Sequence, residues 1–204
     1  MIQRCRFWSG CCLMITVLVF SSPAWAGPAT DQLRTTVDEV IRLLGDQSLK
    51  SQKQQRRQRL RQVINQRFSY EDMARYSLGQ NWKNLSAGQR SEFVDVFSEL
   101  LERSYASKIE AYTDEKVVYQ AERHDGDGIE VRTLIQRRND QIPVYYRMVD
   151  KDGKWWVYDV VIEGVSLVSN YRSQFSRIIR ESSFQDLMRR MRTKLQEEKN
   201  LEKL

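Results

Sequence analysis

Few side chains in this sequence combine reactive chemistry with an apolar setting, and Asp159 is the clearest of them. It interrupts a strongly apolar stretch, and Tyr146 lies on the neighbouring predicted strand. A carboxyl group in an apolar cone can have a raised pKa and act as a proton shuttle, as in isomerases built on small cone-shaped α+β folds. The alternative, which we prefer, is a structural carboxylate satisfied by backbone N–H groups or by Arg147 or Arg172.

The other candidate reactive groups have simpler structural explanations. His124, the single histidine, adjoins the turn at 125–128, which lacks the glutamate that a twelve-residue calcium loop requires. Ser166 follows Gly164 as in a nucleophile elbow, but the second glycine and a suitable base are missing, so Ser166 is expected to cap a helix. The nine glycines form no phosphate-binding loop. We therefore predict no catalytic residue, no metal site and no cofactor.

The first 26 residues predict export. Arg4 and Arg6 precede an apolar run at 11–20, and Ala24-Trp25-Ala26 places small residues at the two positions that define signal-peptide cleavage. A membrane anchor is the alternative, but the run is about half of the ~20 apolar residues that cross a bilayer. Cleavage removes all three cysteines, which excludes disulfides, thiolate–metal sites and cysteine nucleophiles from the remaining chain.

The charge balance favours anionic partners. The chain carries a formal net charge of +6, which becomes +4 once Arg4 and Arg6 are removed, and export argues against nucleic acid. The segment from 48 to 69 contains cations but no acid. We predict weak partner docking at Arg56, Arg57 and Arg59, by attraction to anionic headgroups or an acidic protein face. A merely solvated helix face is the alternative.

Hydrophobic spacing predicts helices around a sheet. Helical spacing covers 31–44, 50–67, a short segment after Ser69, and a long helix that begins at the capping box of Ser86 and Gln89. Alternation then predicts four strands at 117–123, 129–137, 142–150 and 154–163, separated by turn residues, and helical spacing returns at 167–191. The charged tail at 193–204 is expected to be solvated or frayed.

This order predicts an α+β fold in which helices pack on a strongly twisted four-stranded antiparallel sheet, cone-like in the manner of nuclear transport factor 2-like folds. A sheet covered on one face should alternate apolar and polar residues, yet 142–149 and 155–162 are apolar or aromatic on both faces. Either helices flank both faces, or part of one face lines an apolar pocket between sheet and helices.

The segment 157–175, VYDVVIEGVSLVSNYRSQF, closely resembles the signature of the MlaC, or toluene-tolerance, family of periplasmic phospholipid-binding proteins. The block from Met73 through Leu78-Gly79, Trp82, Gln89 and Phe93 and the turn Asp152-Gly153-Lys154-Trp155 also resemble that family. Ser69-Tyr70 departs from it, because relatives often have an acid and phenylalanine there. The resemblance spans roughly 31–191.

The resemblance implies a soluble, monomeric phospholipid carrier of the periplasm, not an enzyme, with phospholipid as cargo and no other cofactor. Such a carrier moves phospholipid between an outer-membrane lipoprotein complex and an inner-membrane ABC transporter of the Mla type, which maintains outer-membrane lipid asymmetry. Residues 27–192 would form the single lipid-binding domain. An isomerase-like enzyme that uses Asp159 as base and an adaptor with a filled core are the alternatives.

The implied cargo sets an energetic condition on the pocket. Two acyl chains contain on the order of 30 methylenes, and their exposure to water would cost roughly 20 kcal/mol or more at ~0.8 kcal/mol each. The pocket must therefore penetrate deep into the domain. We predict that its lining comes from Tyr105, Tyr146, Met148, Trp156, Tyr158, Val160, Ile162, Val165, Leu167, Val168, Tyr171 and Phe175.

The cleavage site leads to the first testable prediction. The exported protein is expected to begin at Gly27 and to contain no titratable thiol, because Cys5, Cys11 and Cys12 all precede that residue. Intact-mass analysis of the secreted protein measures this directly. A mass that retains Cys11 or Cys12 would contradict the predicted cleavage.

Overall fold

The computed structural model of this protein describes residues 27–112 and 115–201. The predicted signal peptide, residues 1–26, lies outside these residues, so its cleavage stays a prediction. Within the described ranges, helices come first, an antiparallel sheet follows, and helices return at the end. This order confirms the α+β class.

The described helices are α1 (Pro28–Gly45), α2 (Lys53–Asn65), α3 (Tyr70–Leu78), α4 (Ala87–Glu110), α5 (Leu167–Glu181) and α6 (Phe184–Leu201), with short 3-10 turns at Gln47–Leu49 and Gly79–Asn84. The strands are β1 (Lys116–Asp125), β2 (Gly128–Gln136), β3 (Gln141–Lys151), β4 (Lys154–Ile162) and β5 (Val165–Ser166). None of the helices in these ranges is long and apolar enough to cross a membrane.

Serine side chains cap helices where the sequence predicted them. The Ser86 hydroxyl accepts the backbone N–H of Gln89 (3.2 Å), and the Gln89 side chain accepts the backbone N–H of Ser86 (2.9 Å), which completes the capping box of α4. Ser166 caps α5 by accepting the N–H of Ser169 (3.0 Å), and Ser69 caps α3. These contacts satisfy backbone donors that the first helical turn leaves unpaired.

The sheet has five antiparallel strands in sequence order, so the prediction of four strands is wrong. The additional strand, β5, contains only two residues and pairs with the end of β4. It follows a tight turn in which Glu163 and Gly164 have positive φ angles of 50° and 81°. A strand of two residues is too short to show alternation, and hydrophobic periodicity therefore cannot detect it.

The loop after α2 covers the part of the β4 edge that β5 leaves open. The carbonyl of Arg67 accepts the N–H of Val157, and the N–H of Ser69 is donated to the carbonyl of Val157, both at 2.9 Å. Phe68 thus lies beside β4 as a parallel bridge. This pairing protects an exposed sheet edge and joins the helices to the sheet.

The core of the described chain divides into three clusters instead of one. The helical cluster unites α3 to α6 around Phe93 and Phe97, which are fully buried. The sheet cluster joins α1 to one sheet face around Val131, Met148 and Val157. A small third cluster at the α1–α2 corner comprises Leu43, Leu44, Leu49 and Leu60. A cavity, described below, lies among these clusters.

The apolar strands meet different surroundings on their two faces. Val144 and Tyr146 of β3 face the cavity, so by strand alternation Tyr145 and Arg147 lie on the opposite face. On that face, Arg147 forms ion pairs with acids of β1, β2 and β4 at 3.2 to 3.6 Å, and Arg132 stacks over Tyr145 (4.7 Å). One face therefore lines a pocket, and the other carries charged and aromatic pairs.

The prediction that residues after 192 are frayed is wrong for the described part of that segment, although most of the side chains there are exposed to solvent as expected. Helix α6 continues to Leu201, Leu195 is buried, and Lys199 forms an ion pair with Glu99 of α4 (3.0 Å). Leu195 extends the apolar stripe of Met188 and Met191 on one side of the helix. Packing of this stripe orders the helix although many of its residues are charged.

Candidate ligand-binding cavity

A cavity of about 1210 Å³ lies between one face of the sheet and helices α1, α2 and α4. The first wall comes from α1, whose side chains Leu33, Val37, Val40, Ile41 and Leu44 point towards it. Their spacing of three and four residues places them on one helical face. The amphipathic character of α1 thus supplies a continuous apolar wall.

The second wall is the sheet. Val144 and Tyr146 of β3 alternate along their strand, as do Val160 and Ile162 of β4, so each pair lies on the same face. Leu167, at the start of α5, extends this wall beyond the strands. Phe68, Met73 and Leu101 add further apolar surface where the helices meet the sheet. The interior of the cavity is therefore apolar and aromatic.

Charged side chains line the cavity where it approaches solvent, between α2 and the second half of α4. The cations on these two helices are Lys53, Arg57, Arg61, Arg103 and Lys108, and the acids are Glu102 and Glu110, while Arg137 lines the cavity from the segment after β2. Several of these cations are exposed, whereas the purely apolar lining residues are buried or half-buried. We call this charged region the mouth of the cavity.

Ion pairs cross the mouth from α2 to α4. Arg57 holds Glu110 in a two-point contact, with nitrogen–oxygen distances of 2.7 and 3.0 Å, and Arg56 lies 3.9 Å from the same carboxylate. Arg61 contacts Glu102 at 2.8 Å. The Arg57 contact and the further attraction of Arg56 lower the pKa of Glu110, whereas burial raises the pKa of Glu102 despite Arg61.

The lining offers little reactive chemistry. Burial raises the pKa of Tyr146 to about 12 and also raises the pKa values of Tyr70 and Tyr105, so these phenols stay protonated at neutral pH. Among the described residues, no group of three or more histidine, cysteine, aspartate or glutamate side chains is arranged to hold a metal ion. The arrangement suits binding of an apolar group with a polar end.

Some predicted lining residues do reach the cavity. They are Tyr105 of α4, Tyr146 of β3, Val160 and Ile162 of β4, and Leu167 of α5. Four of them lie on the sheet face or at its margin, whereas Tyr105 lines the cavity from α4 and also packs against the helical cluster. Whether they contact a ligand stays a prediction.

The three predicted lining residues on α5 beyond Leu167 do not line this cavity. Val168, Tyr171 and Phe175 pack in the helical cluster, where Phe97 meets Tyr171 and Phe175 edge-on at 5.3 and 5.7 Å between ring centres. The apolar stripe of α5 faces the other helices and not the sheet. Helical spacing identifies such a stripe but not the element against which it packs.

The remaining predicted lining residues on and next to the strands are also placed elsewhere. Met148 is fully buried in the sheet cluster, and Val165 is 58% exposed in β5. Lys154 lies over the ring of Trp156 at 3.9 Å, and Tyr158 donates a hydrogen bond to Asp125 (3.2 Å). The pairing of β3 with β4 shifts between Arg147 and Met148, which disturbs simple alternation at this point.

Sequence reasoning missed the contributions of α1 and α2 to the cavity. Helical spacing at 31–44 predicts α1, and the length of its apolar stripe is the signal that it covers a large apolar surface. For the charges of α2, the sequence analysis leaves open docking or a solvated helix face. Arg56 and Arg57 instead contact Glu110, whereas Arg59 is exposed. Docking at these arginines stays a prediction.

Asp159 does not line the cavity, so its alternative role as a base there is wrong. Its carboxylate accepts the hydroxyl of Ser166 (2.5 Å) and the backbone N–H of Val168 (3.0 Å), and Arg147 lies 3.4 Å away. The side chain is almost fully buried. It thus joins β4 to the start of α5 and positions Leu167 between its two partners, which is the structural role that we preferred.

Comparisons with known proteins agree with this geometry. The family model described as MlaC protein matches residues 34–193. The intermembrane phospholipid transport system binding protein MlaC of Haemophilus influenzae is 32% identical over 120 residues, which cover 56% of this chain and 56% of that relative. The chain thus aligns with little more than half the length of this relative.

A solved structure provides a second comparison. It is the phospholipid-binding protein from Ralstonia solanacearum in complex with a phospholipid. Its fold matches this chain with a TM-score of 0.75 at 24% sequence identity, over 83% of this chain and 98% of that chain. At this identity the likeness shows a shared fold.

The contacts of Asp159 lead to a prediction about stability. Asp159→Asn is expected to lower the free energy of unfolding by about 1–3 kcal/mol, because the amide leaves the Ser166 hydroxyl or Arg147 without its charged acceptor. Urea denaturation measures this change. Asp127→Asn, in the exposed turn before β2, is the matched control and should stay within about 0.5 kcal/mol of wild type. Equal stability of the two variants would contradict the structural role of Asp159.

Proposed function

We propose that this chain, which belongs to the MlaC family, is a periplasmic phospholipid carrier. It would move phospholipid between outer-membrane and inner-membrane components of an Mla-type ABC transport system that maintains outer-membrane lipid asymmetry. Cleavage after residue 26 would release a monomeric domain of residues 27–192, followed in the chain by the charged segment 193–204. The carrier needs no covalent step, no nucleic acid and no cofactor other than its cargo.

The cavity is the observation that carries this proposal. Sites for small ligands typically occupy ~300–1,000 Å³, whereas this cavity measures about 1210 Å³ and has apolar walls from α1 and the sheet. A large apolar interior is what acyl chains require, since leaving ~30 methylenes in water costs roughly 20 kcal/mol or more. The strongly twisted, cone-like sheet of the proposal would curve around these chains.

The change from an apolar interior to a charged mouth supports one orientation of the cargo. Acyl chains would lie against Val160, Ile162 and Leu167, with the headgroup among the charges between α2 and α4. Cations outnumber acids in the lining of the mouth, which suits the phosphate that phospholipids share. Phospholipid as the cargo agrees with the names of two similar proteins. The Haemophilus protein is a binding protein of a phospholipid transport system, and the Ralstonia protein is a phospholipid-binding protein.

A pair of neighbouring substitutions tests the cavity as the phospholipid site. Leu167→Trp places an indole inside the cavity and is expected to reduce co-purified phospholipid while leaving the melting temperature of the lipid-free protein nearly unchanged. Val168→Trp makes the same change one residue later, in the helical cluster, and should instead destabilise the fold by ~1–3 kcal/mol through overpacking.

The measurements are organic extraction with lipid mass spectrometry, and thermal unfolding of the lipid-free proteins. Folded Val168→Trp should keep its lipid per molecule. Wild-type protein without phospholipid, or a Leu167→Trp protein that unfolds yet retains its lipid, would contradict the proposed site.

The basic surface of α2 and of the turn before it supports a second element of the proposal, docking to an acidic partner surface. Lys50 and Arg59 are exposed, and neither lines the cavity. Reversing both to glutamate is expected to weaken binding to isolated transporter components, most strongly at low salt, because screening reduces such attraction. Arg177→Glu with Arg180→Glu makes the same charge change on α5. If both double variants lost binding equally, the net charge of the protein, and not a docking face on α2, would account for the loss.

A further inference from the structure

Helix α2 is attached to its two neighbours by different kinds of interaction. Towards α1 it packs Leu60 against Leu43, Leu44 and Leu49, and all four side chains are buried. Towards α4, the closest ion pairs across the mouth are those of Arg57 with Glu110 and of Arg61 with Glu102, and Arg56 lies 3.9 Å from Glu110. One side of α2 is therefore held by apolar packing and the other largely by charge.

The two attachments differ in how readily they open. Breaking the α1 side would expose buried leucines to water, which is costly. On the α4 side, the side chains of Arg57 and Arg61 are 33% and 50% exposed, and those of Glu110 and Glu102 are 14% and 15% exposed. Salt screens and weakens ion pairs that have one partner partly in solvent. Ile109 of α4 and Tyr112 beyond it also pack against the apolar cluster of the α1–α2 corner.

The cavity lies directly behind these ion pairs. Arg57 and Arg61 of α2 and Glu102 and Glu110 of α4 all line it, and so do Gln58 and Ala106, which lie between the two pairs on their respective helices. A ligand that passes between α2 and α4 must separate the charged partners. Separating the ion pairs costs less free energy than exposing the leucines. We therefore expect the cavity to open by rotation of α2 away from α4 about its apolar contact with α1.

We propose that α2 is a lid over the mouth of the cavity and that the ion pairs of Arg57 with Glu110 and of Arg61 with Glu102 latch it to α4. Opening this latch sets the rate at which ligand enters and leaves. The proposal rests on the proposed carrier function and adds to it the residues that control exchange. These residues act on exchange by holding the lid closed.

Charge reversal and charge swap test the latch. Exported protein loaded with a fluorescent phosphatidylcholine is mixed with vesicles of unlabelled phosphatidylcholine, which carry no net charge, so that membrane attraction contributes little. Arg57→Glu is expected to accelerate release about two- to fivefold, in line with the strength of a partly exposed pair. Adding Glu110→Arg restores the ion pair with its two charges exchanged and should reverse most of this acceleration. If Arg57 only bound the headgroup, the second substitution would not slow release again.

A reversible opening also predicts that a covalent tie stops exchange. All cysteines of the sequence lie at or before Cys12, so Gln58→Cys with Ala106→Cys supplies the only pair in the exported protein. Cross-linking the loaded double variant with a short bismaleimide is expected to slow release more than tenfold, with the same lipid content as before cross-linking. The double variant without cross-linker is the matched control.

The outcomes separate the two proposals. Unchanged release after cross-linking, or a charge swap that fails to slow the reversed variant, would overturn the lid while leaving the carrier intact. Wild-type protein that neither retains nor transfers phospholipid would overturn the carrier function and the lid with it. Slow release after cross-linking together with rescue by the swap would support the latch.

Discussion

A large cavity in a small domain removes contacts that a close-packed core would supply, and the architecture of this protein follows from that constraint. About 1210 Å³ of space separates the sheet from α2 and α4. The apolar residues consequently gather in separate clusters around the cavity. The helical cluster is the most self-contained, with Phe93, Phe97 and Phe175 in mutual contact at ring-centre distances of 5.6 to 5.7 Å.

Buried polar contacts hold the walls of the cavity in place. Asp159 ties β4 to the start of α5, and Arg67 joins α1 to β4 through Gln32 and the carbonyl of Trp155, both at 2.6 Å. Asp72 of α3 pairs with Lys151 of the β3–β4 hairpin. Burial alone would raise the pKa of Asp72, but hydrogen bonds from Lys151 and Ser69 hold this pKa below its ordinary value. These contacts tie the sheet wall to α1, α3 and α5.

The position of the charges on α2 connects two proposed activities. Arg57 contacts Glu110 across the mouth, and exposed cations of the same helix face solvent. An acidic surface that approaches α2 would compete with Glu110 for its arginine partners, since both offer carboxylates. Docking and opening of the cavity would then be coupled through one helix. This coupling needs no change in the sheet wall, so cargo could stay in contact with one side of the cavity during transfer.

The sequence by itself determined most local structure: the α+β order, the capping box at Ser86, the four longer strands and the resemblance to the MlaC family. These features depend on spacing and turn chemistry within a few residues. Tertiary structure alone decided that α5 faces other helices, that Asp159 is structural, that α6 is ordered beyond Arg192, and that β5 exists. Periodicity shows which face of an element is apolar, but only the assembled chain decides whether that face meets a core, a cavity or solvent.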